Sequence, residues 1–169
     1  MPHIRDERPR DEAAIHAVVA QAFGRATEAD LVKSLRANGK VVVSLVAEEE
    51  GQVLGHVLFS PVVIEAVTAR HAALGLAPLA VLPAFQRLGI GSALVSAGLA
   101  RCRALGHTRV VVLGEPAYYE RFGFSTATDF GIRYPGAAPR AAFMALALVP
   151  GALDGRAGVA RYAAEFEKL

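Results

Sequence analysis

Apolar residues recur with two different periods along the chain. Asp11 can cap a helix running to about Phe23, in which Ile15, Val18, Val19 and Ala22 share one face. Thr27 and Asp30 have capping-box spacing ahead of Leu31 and Leu35, and Asn38-Gly39 stops a second short helix. The pattern then becomes β-branched. Val41–Ala47 and Gln52–Ile64 are apolar runs separated by the polar Glu48-Glu49-Glu50-Gly51, which predicts a hairpin with a solvated acidic tip. His3–Arg5 is a short strand candidate, and Ala72–Leu82 is a further strand. Gly89–Leu105 reads as a helix with Ile90, Leu94, Ala97 and Cys102 on its apolar side and Gly106 as its stop. Arg109–Leu113 and Phe143–Leu148 are strands, and Pro116 opens a short helix ending near Phe122. In residues 150–169, Gly155 and Gly158 point to loop or edge strand, and Tyr162–Leu169 to a turn of helix.

This order predicts a mixed α/β (α+β) fold, one domain over residues 1–169, with residues 150–169 as an edge strand or appended segment. One right-handed parallel crossover passes through the helix after Gly89. With 169 residues, 53% apolar and 20% charged, the chain can bury a core, and disorder is excluded. Its apolar windows are far shorter than the roughly 20 residues of a membrane helix. The polar start, without a basic-then-apolar leader, points to a cytoplasmic protein. One cysteine, Cys102, excludes an internal disulfide and a Cys-rich zinc site, and suits a small buried hydrophobe. The five histidines show no metal spacing, so no metal is expected and ordinary surface or core roles are favoured for all; His56 and His71 are the only ones placed to visit an acceptor site. A net charge of +2 gives no basic excess for nucleic acid.

Chemistry concentrates in Leu79-Ala80-Val81-Leu82-Pro83-Ala84-Phe85-Gln86-Arg87-Leu88-Gly89-Ile90-Gly91-Ser92-Ala93-Leu94. A buried strand runs through a glycine-bearing loop into a helix. Backbone N–H groups and the helix dipole at such a junction suit a pyrophosphate, and Arg87 adds a positive charge. A P-loop is excluded because no lysine follows the glycines. A dinucleotide fingerprint is excluded because Leu94 stands where its third Gly or Ala belongs.

Gln86-Arg87-Leu88-Gly89-Ile90-Gly91, preceded by Leu79-Ala80-Val81-Leu82-Pro83, resembles the acyl-CoA-binding motif of the GNAT acyltransferase superfamily. Ala117-Tyr118-Tyr119-Glu120-Arg121-Phe122-Gly123-Phe124 resembles a second segment of that family. Val112-Leu113-Gly114-Glu115-Pro116 and the late Arg161-Tyr162 are similar to a bacterial subgroup of N-acetyltransferases with unassigned substrates. The resemblance implies a central, mostly antiparallel splayed sheet flanked by helices, and acetyl transfer from acetyl-CoA to an amine. It implies that Leu79, Ala80 and Val81 present backbone groups to pantetheine, with an N–H near Val81 as oxyanion donor. Gln86, Arg87, Leu88, Gly89, Ile90, Gly91 and Ser92 would hold the pyrophosphate. Tyr119 matches the frequent general acid, which helps expel a thiolate; Tyr118 is expected to be structural. Pro78, which lacks a ladder donor, would mark where strand pairing breaks.

Family members often place a general base on the strand before the loop, but Ala72–Pro78 has no acid. Glu65, His71 and Glu115 are flanking candidates, and Glu115 can instead accept helix N–H groups. The implied partner is a small-molecule or peptide amine, with the protein a monomer or homodimer. The alternative is a non-catalytic acyl-CoA-binding or regulatory module of the same fold.

Overall fold

The tip of the first hairpin is tighter than its acidic run suggests. Strand β2 (Val43–Glu49) and strand β3 (Gln52–Glu65) are joined by only two residues, Glu50 at φ 50° and Gly51 at φ 78°. Two left-handed residues match the right-handed twist of an antiparallel pair. Glu48 is therefore not part of a solvated tip. It lies in β2, and its carboxylate accepts from Arg5 Nε at 2.8 Å.

The structure is a computed structural model describing residues 1–169. The chain folds as two compact units, each assembled from separate stretches. The first contains Met1–Ser60, Ala77–Arg101 and Ala164–Leu169; the second contains Pro61–Leu76 and Cys102–Ala163.

In the first unit β1 (His3–Asp6) pairs antiparallel with β2, from His3 opposite Glu48 to Asp6 opposite Leu45. β2 pairs antiparallel with β3 from Val43 opposite Phe59 onward. Helices α1 (Glu12–Phe23) and α2 (Thr27–Ala37) follow β1, and α3 (Ile90–Ala104) follows the glycine loop. Both expected caps are corrected. The Asp11 carboxylate accepts from Arg8 N–H at 2.6 Å and from the Arg5 guanidinium at 2.7 and 3.0 Å, not from α1. Those hydrogen bonds, those of Arg5 foremost, hold its carboxyl down at about 2. Thr27 is the first residue of α2, not its cap, and Glu28 pairs with Arg25.

Ile15, Val19, Leu35, Leu45, Phe59 and Leu94 form part of this unit's buried apolar core. Gly98 of α3 lies against the fully buried Phe59, where an added Cβ would stand 2.9 Å from Cζ and closer still to Cε1. Gly98→Ala is expected to destabilise the protein by about 1–3 kcal/mol, because the ring has nowhere to go. Denaturant unfolding of the variant checks this.

A polar network is enclosed in the same unit. Arg36 donates to Glu7 at 2.7 and 2.9 Å, and the Ser44 hydroxyl donates to Glu7 at 2.6 Å. Ser44 Oγ also lies 2.8 Å from His56 Nε2. Its single proton is committed to Glu7, so Nε2–H donates to Ser44 and Nδ1 carries the lone pair. His56 is 0% exposed and its Nδ1 has no partner. His56 thus has the ordinary core role favoured for it and is not placed to visit an acceptor site. Burial pushes its pKa down to about 4, below its ordinary 6.5. The unfolded chain then binds more protons than the folded one between those values. Stability is full above pH 6.5 and falls as the pH drops toward 4, by about 3 kcal/mol. His56→Gln should flatten this part of the stability–pH curve; an unchanged slope in urea titrations would assign it elsewhere.

In the second unit the Pro61–Glu65 end of β3 pairs antiparallel with β9 (Gly158–Tyr162), from Val62 opposite Tyr162 to Glu65 opposite Val159. β7 (Ile132–Arg133) pairs parallel with β9. The Arg70–Leu76 part of β4 (Arg70–Val81) pairs parallel with β5 (Arg109–Leu113) at Leu74–Val110 and Gly75–Val111. β8 (Phe143–Ala147) lies antiparallel to β5 and to β6 (Ser125–Thr126). Ile64, Val111, Ile132, Phe143 and Leu153 are among its core. The ambiguous tail resolves into β9 and a 3-10 turn over Ala164–Lys168. β4 continues through Pro78, whose peptide bond with Ala77 is cis.

Candidate active site

β4 ends at Val81, and Leu82 N–H donates to Leu54 carbonyl at 2.9 Å. The β2–β3 register shifts at Ala47/Glu48, leaving Leu54 as an extra residue of β3. Gly55 is packed closely: a Cβ there would lie 3.1 Å from the Ala80 carbonyl and 3.0 Å from Leu94. Ala80 is buried, and Leu79 and Val81 are half-buried. A 3-10 turn over Pro83–Phe85 leads into the loop.

Gln86, Arg87, Leu88 and Gly89 are exposed, whereas Ile90 is buried and Gly91 and Ser92 are half-buried. Gln86 has a structural bond: its Nε2 donates to Val81 carbonyl at 3.1 Å, tying the loop to the strand end. Arg87 at φ 65° and Gly89 at φ 89° are both left-handed. Nothing lies within 4 Å of a Cβ built on Gly89, so its backbone conformation, not crowding, favours glycine there. The Ala93 N–H to Gly89 carbonyl bond, 3.0 Å, opens the helical ladder. The N–H groups of Ile90 and Gly91 precede that bond, at the positive end of a 15-residue helix with no acid in its first turn. These residues fit a diphosphate: an exposed loop, backbone donors and Arg87.

Tyr119 belongs to the second unit. Short helix α4 (Pro116–Glu120) carries Pro116 in its first turn, and the Glu115 carbonyl accepts from Tyr118 and Tyr119 N–H at 3.1 and 3.2 Å. The expectation that the Glu115 side chain caps this helix is corrected: the main-chain carbonyl does so, and no side-chain cap bond forms. Tyr119 is 8% exposed and packs edge-on to Phe124 and Tyr118, with centroids 5.7 and 5.0 Å away. A Cβ on Gly114 would stand 2.5 Å from its ring, so this glycine makes room for Tyr119, a requirement the sequence does not reveal. Burial raises the Tyr119 hydroxyl above the ordinary tyrosine range, keeping it protonated. Tyr118 lies beneath the Arg121 guanidinium, 4.6 Å from its centroid.

Of the base candidates, Glu65 stands 3.6 Å from both Arg70 and Arg161, His71 is half-buried in β4, and Glu115 is exposed. Cys102 is fully buried, and burial pushes its thiol up to about 12. No helix is long and apolar enough to cross a membrane.

The strand–loop–helix stretch, the mixed sheet and the Tyr119 segment can be set beside known proteins. A model of the acetyltransferase (GNAT) family matches residues 7–124. The chain is 39% identical over 169 residues to the Uncharacterized N-acetyltransferase YhbS of Escherichia coli (strain K12), covering 98% of this chain and 99% of that one. The crystal structure of E. coli YhbS in complex with CoA superposes with a TM-score of 0.91 at 37% identity, covering 98% and 92% of the two chains. A GNAT family acetyltransferase from Brucella melitensis in complex with acetyl-CoA gives 0.81 at 42% identity, covering 98% of each. Fold and sequence define an acyltransferase of the N-acetyltransferase class, whose acyl donor is acetyl-CoA. The chain belongs to the acetyltransferase (GNAT) family.

Proposed function

We propose that the protein transfers an acetyl group from acetyl-CoA to a primary amine, on a small molecule or peptide, by direct attack in a ternary complex. The observation that carries this is the Gln86–Ser92 junction, whose exposed loop and helix N-terminus suit a diphosphate. Leu79, Ala80 and Val81 would line the pantetheine arm, and a backbone N–H near Val81 would polarise the thioester oxygen. The amine nitrogen bonds to the acetyl carbon, the carbon–sulfur bond breaks, and Tyr119 donates a hydrogen bond to the departing sulfur. The ammonium proton goes to water in the absence of an acid on Ala72–Pro78. Holding amine and thioester together supplies much of the acceleration.

The missing strand carboxylate is the observation favouring a second reading, a module that binds acyl-CoA without turnover. Two measurements separate the readings. Acetyl-CoA at saturating concentration should raise the melting temperature, as a native-state ligand must. Thiol release against a panel of amines, amino acids, polyamines and peptides should then find at least one acceptor. Binding without release would leave the non-catalytic module, and no thermal shift would defeat both.

A further inference from the structure

The peptide that ends β4, Val81–Leu82, is held from both sides. Its carbonyl, that of Val81, accepts from Gln86 Nε2 at 3.1 Å, and its N–H, that of Leu82, donates to the Leu54 carbonyl of β3 at 2.9 Å. In a trans peptide these two groups point in opposite directions, so Gln86 stands on the edge of β4 that faces away from β3. The preceding peptide has the reverse setting. The Ala80 carbonyl lies on the β3 side, 3.1 Å from where a Cβ on Gly55 would be. The Val81 N–H therefore points to the same edge as Gln86. The register of β5 on β4 covers Leu74 and Gly75, so β5 gives Val81 no ladder partner there.

Val81 thus presents both of its main-chain groups to one edge, and Gln86 covers the acceptor while leaving the donor open. An oxygen gaining negative charge is attracted by the N–H and repelled by a bare neighbouring carbonyl, so covering that carbonyl favours it. The 3-10 turn over Pro83–Phe85, closed by Phe85 N–H to the Leu82 carbonyl at 2.8 Å, folds the chain back and brings the Gln86 side chain to Val81. The contact demands a long side chain carrying an N–H, because Val81 offers only an acceptor. Gln86 is exposed, so burial places no demand of its own on the amide.

We propose that Gln86 is a positioning residue for acetyl transfer, whose amide covers the Val81 carbonyl and fixes the strand end so that the Val81 N–H meets the thioester oxygen. Its side chain acts through Val81 and not on a phosphate; the diphosphate is left to the main chain of the loop and to Arg87. This rests on the N-acetyltransferase reading above and deepens it, by naming the group that orients the donor placed there near Val81.

The test reads the thioester directly and needs no acceptor. Acetyl-CoA isotopically labelled at the acetyl carbonyl carbon gives an isotope-edited infrared band, which moves to lower wavenumber when the oxygen accepts a hydrogen bond. Isothermal titration gives the affinity of the same samples. Gln86→Met keeps the length and removes the N–H, whereas Gln86→Arg keeps a long side chain and restores donors. Neither substitution touches the core, since the position is exposed. The band of acetyl-CoA bound to the parent should lie below that of the free ester. Gln86→Met should lose most of that displacement while Kd rises less than about threefold, and Gln86→Arg should recover it. An unchanged band in Gln86→Met, a weaker Kd with the band of the bound ester in place, or a loss that Gln86→Arg does not recover would overturn the proposal. Each of those outcomes leaves the acetyltransferase reading standing. A parent band that stays at the free position although acetyl-CoA binds removes the donor at Val81 and this inference with it. Absence of binding removes the whole reading.

Discussion

Tyr119→Phe is expected to lower turnover by about a hundredfold or more, while the melting-temperature rise given by acetyl-CoA stays the same. Phenylalanine keeps the ring beside Gly114 and against Phe124 and Tyr118, so folding is spared. Only the hydroxyl is lost. Burial raises that hydroxyl above the ordinary tyrosine range, so it stays protonated, and able to donate, throughout the working pH range. A consequence follows for the pH profile: raising the pH to 10 should cause no fall in rate assignable to Tyr119. Steady-state thiol release at saturating acetyl-CoA measures both effects. Equal rates in variant and parent would remove Tyr119 from the chemistry.

Gly89→Asp is expected to weaken acetyl-CoA binding by at least about a hundredfold. Two like charges about 4 Å apart near a protein surface repel by roughly 4 kcal/mol, and the loop would then oppose the diphosphate. There is space for the side chain, since nothing lies within 4 Å of a Cβ at this position. Gly89→Asn controls for the backbone, because asparagine tolerates the left-handed φ of 89° and carries no charge. Isothermal titration of both variants separates charge from conformation. Equal weakening in the two would trace the effect to the backbone and reject the charge argument.

What the sequence made legible was local. β-branched runs predicted Val41–Ala47 and Gln52–Ile64, and the strands form at Val43–Glu49 and Gln52–Glu65. The glycine loop is contiguous, so its path from strand to helix follows from the order of residues. The misreadings involve partners distant in the chain or competing locally. Asp11 has the right place for a cap, but Arg5, delivered by β1, takes its carboxylate. Glu48 looks like a hairpin tip until the same Arg5 reaches it. β6 and β7 have two residues each and exist only through their pairing with β8 and β9. The partners of His56 were equally hidden: the residue sits in the apolar run Val53–Phe59, and Ser44, Glu7 and Arg36 come from three other segments. The packing of Tyr162 on Gly75 joins positions 87 residues apart, and no local pattern announces it.

The buried Cys102 makes the native protein nearly silent toward thiol reagents. Its thiol, pushed up to about 12, is almost wholly protonated at neutral pH, and the residue is fully enclosed. Colour developed by a disulfide reagent during turnover therefore reports the released coenzyme. The same cysteine can serve as a clock for opening. Modified only when the fold lets it out, it would convert the rate of slow labelling into the frequency with which the C-terminal end of α3 exposes itself to solvent.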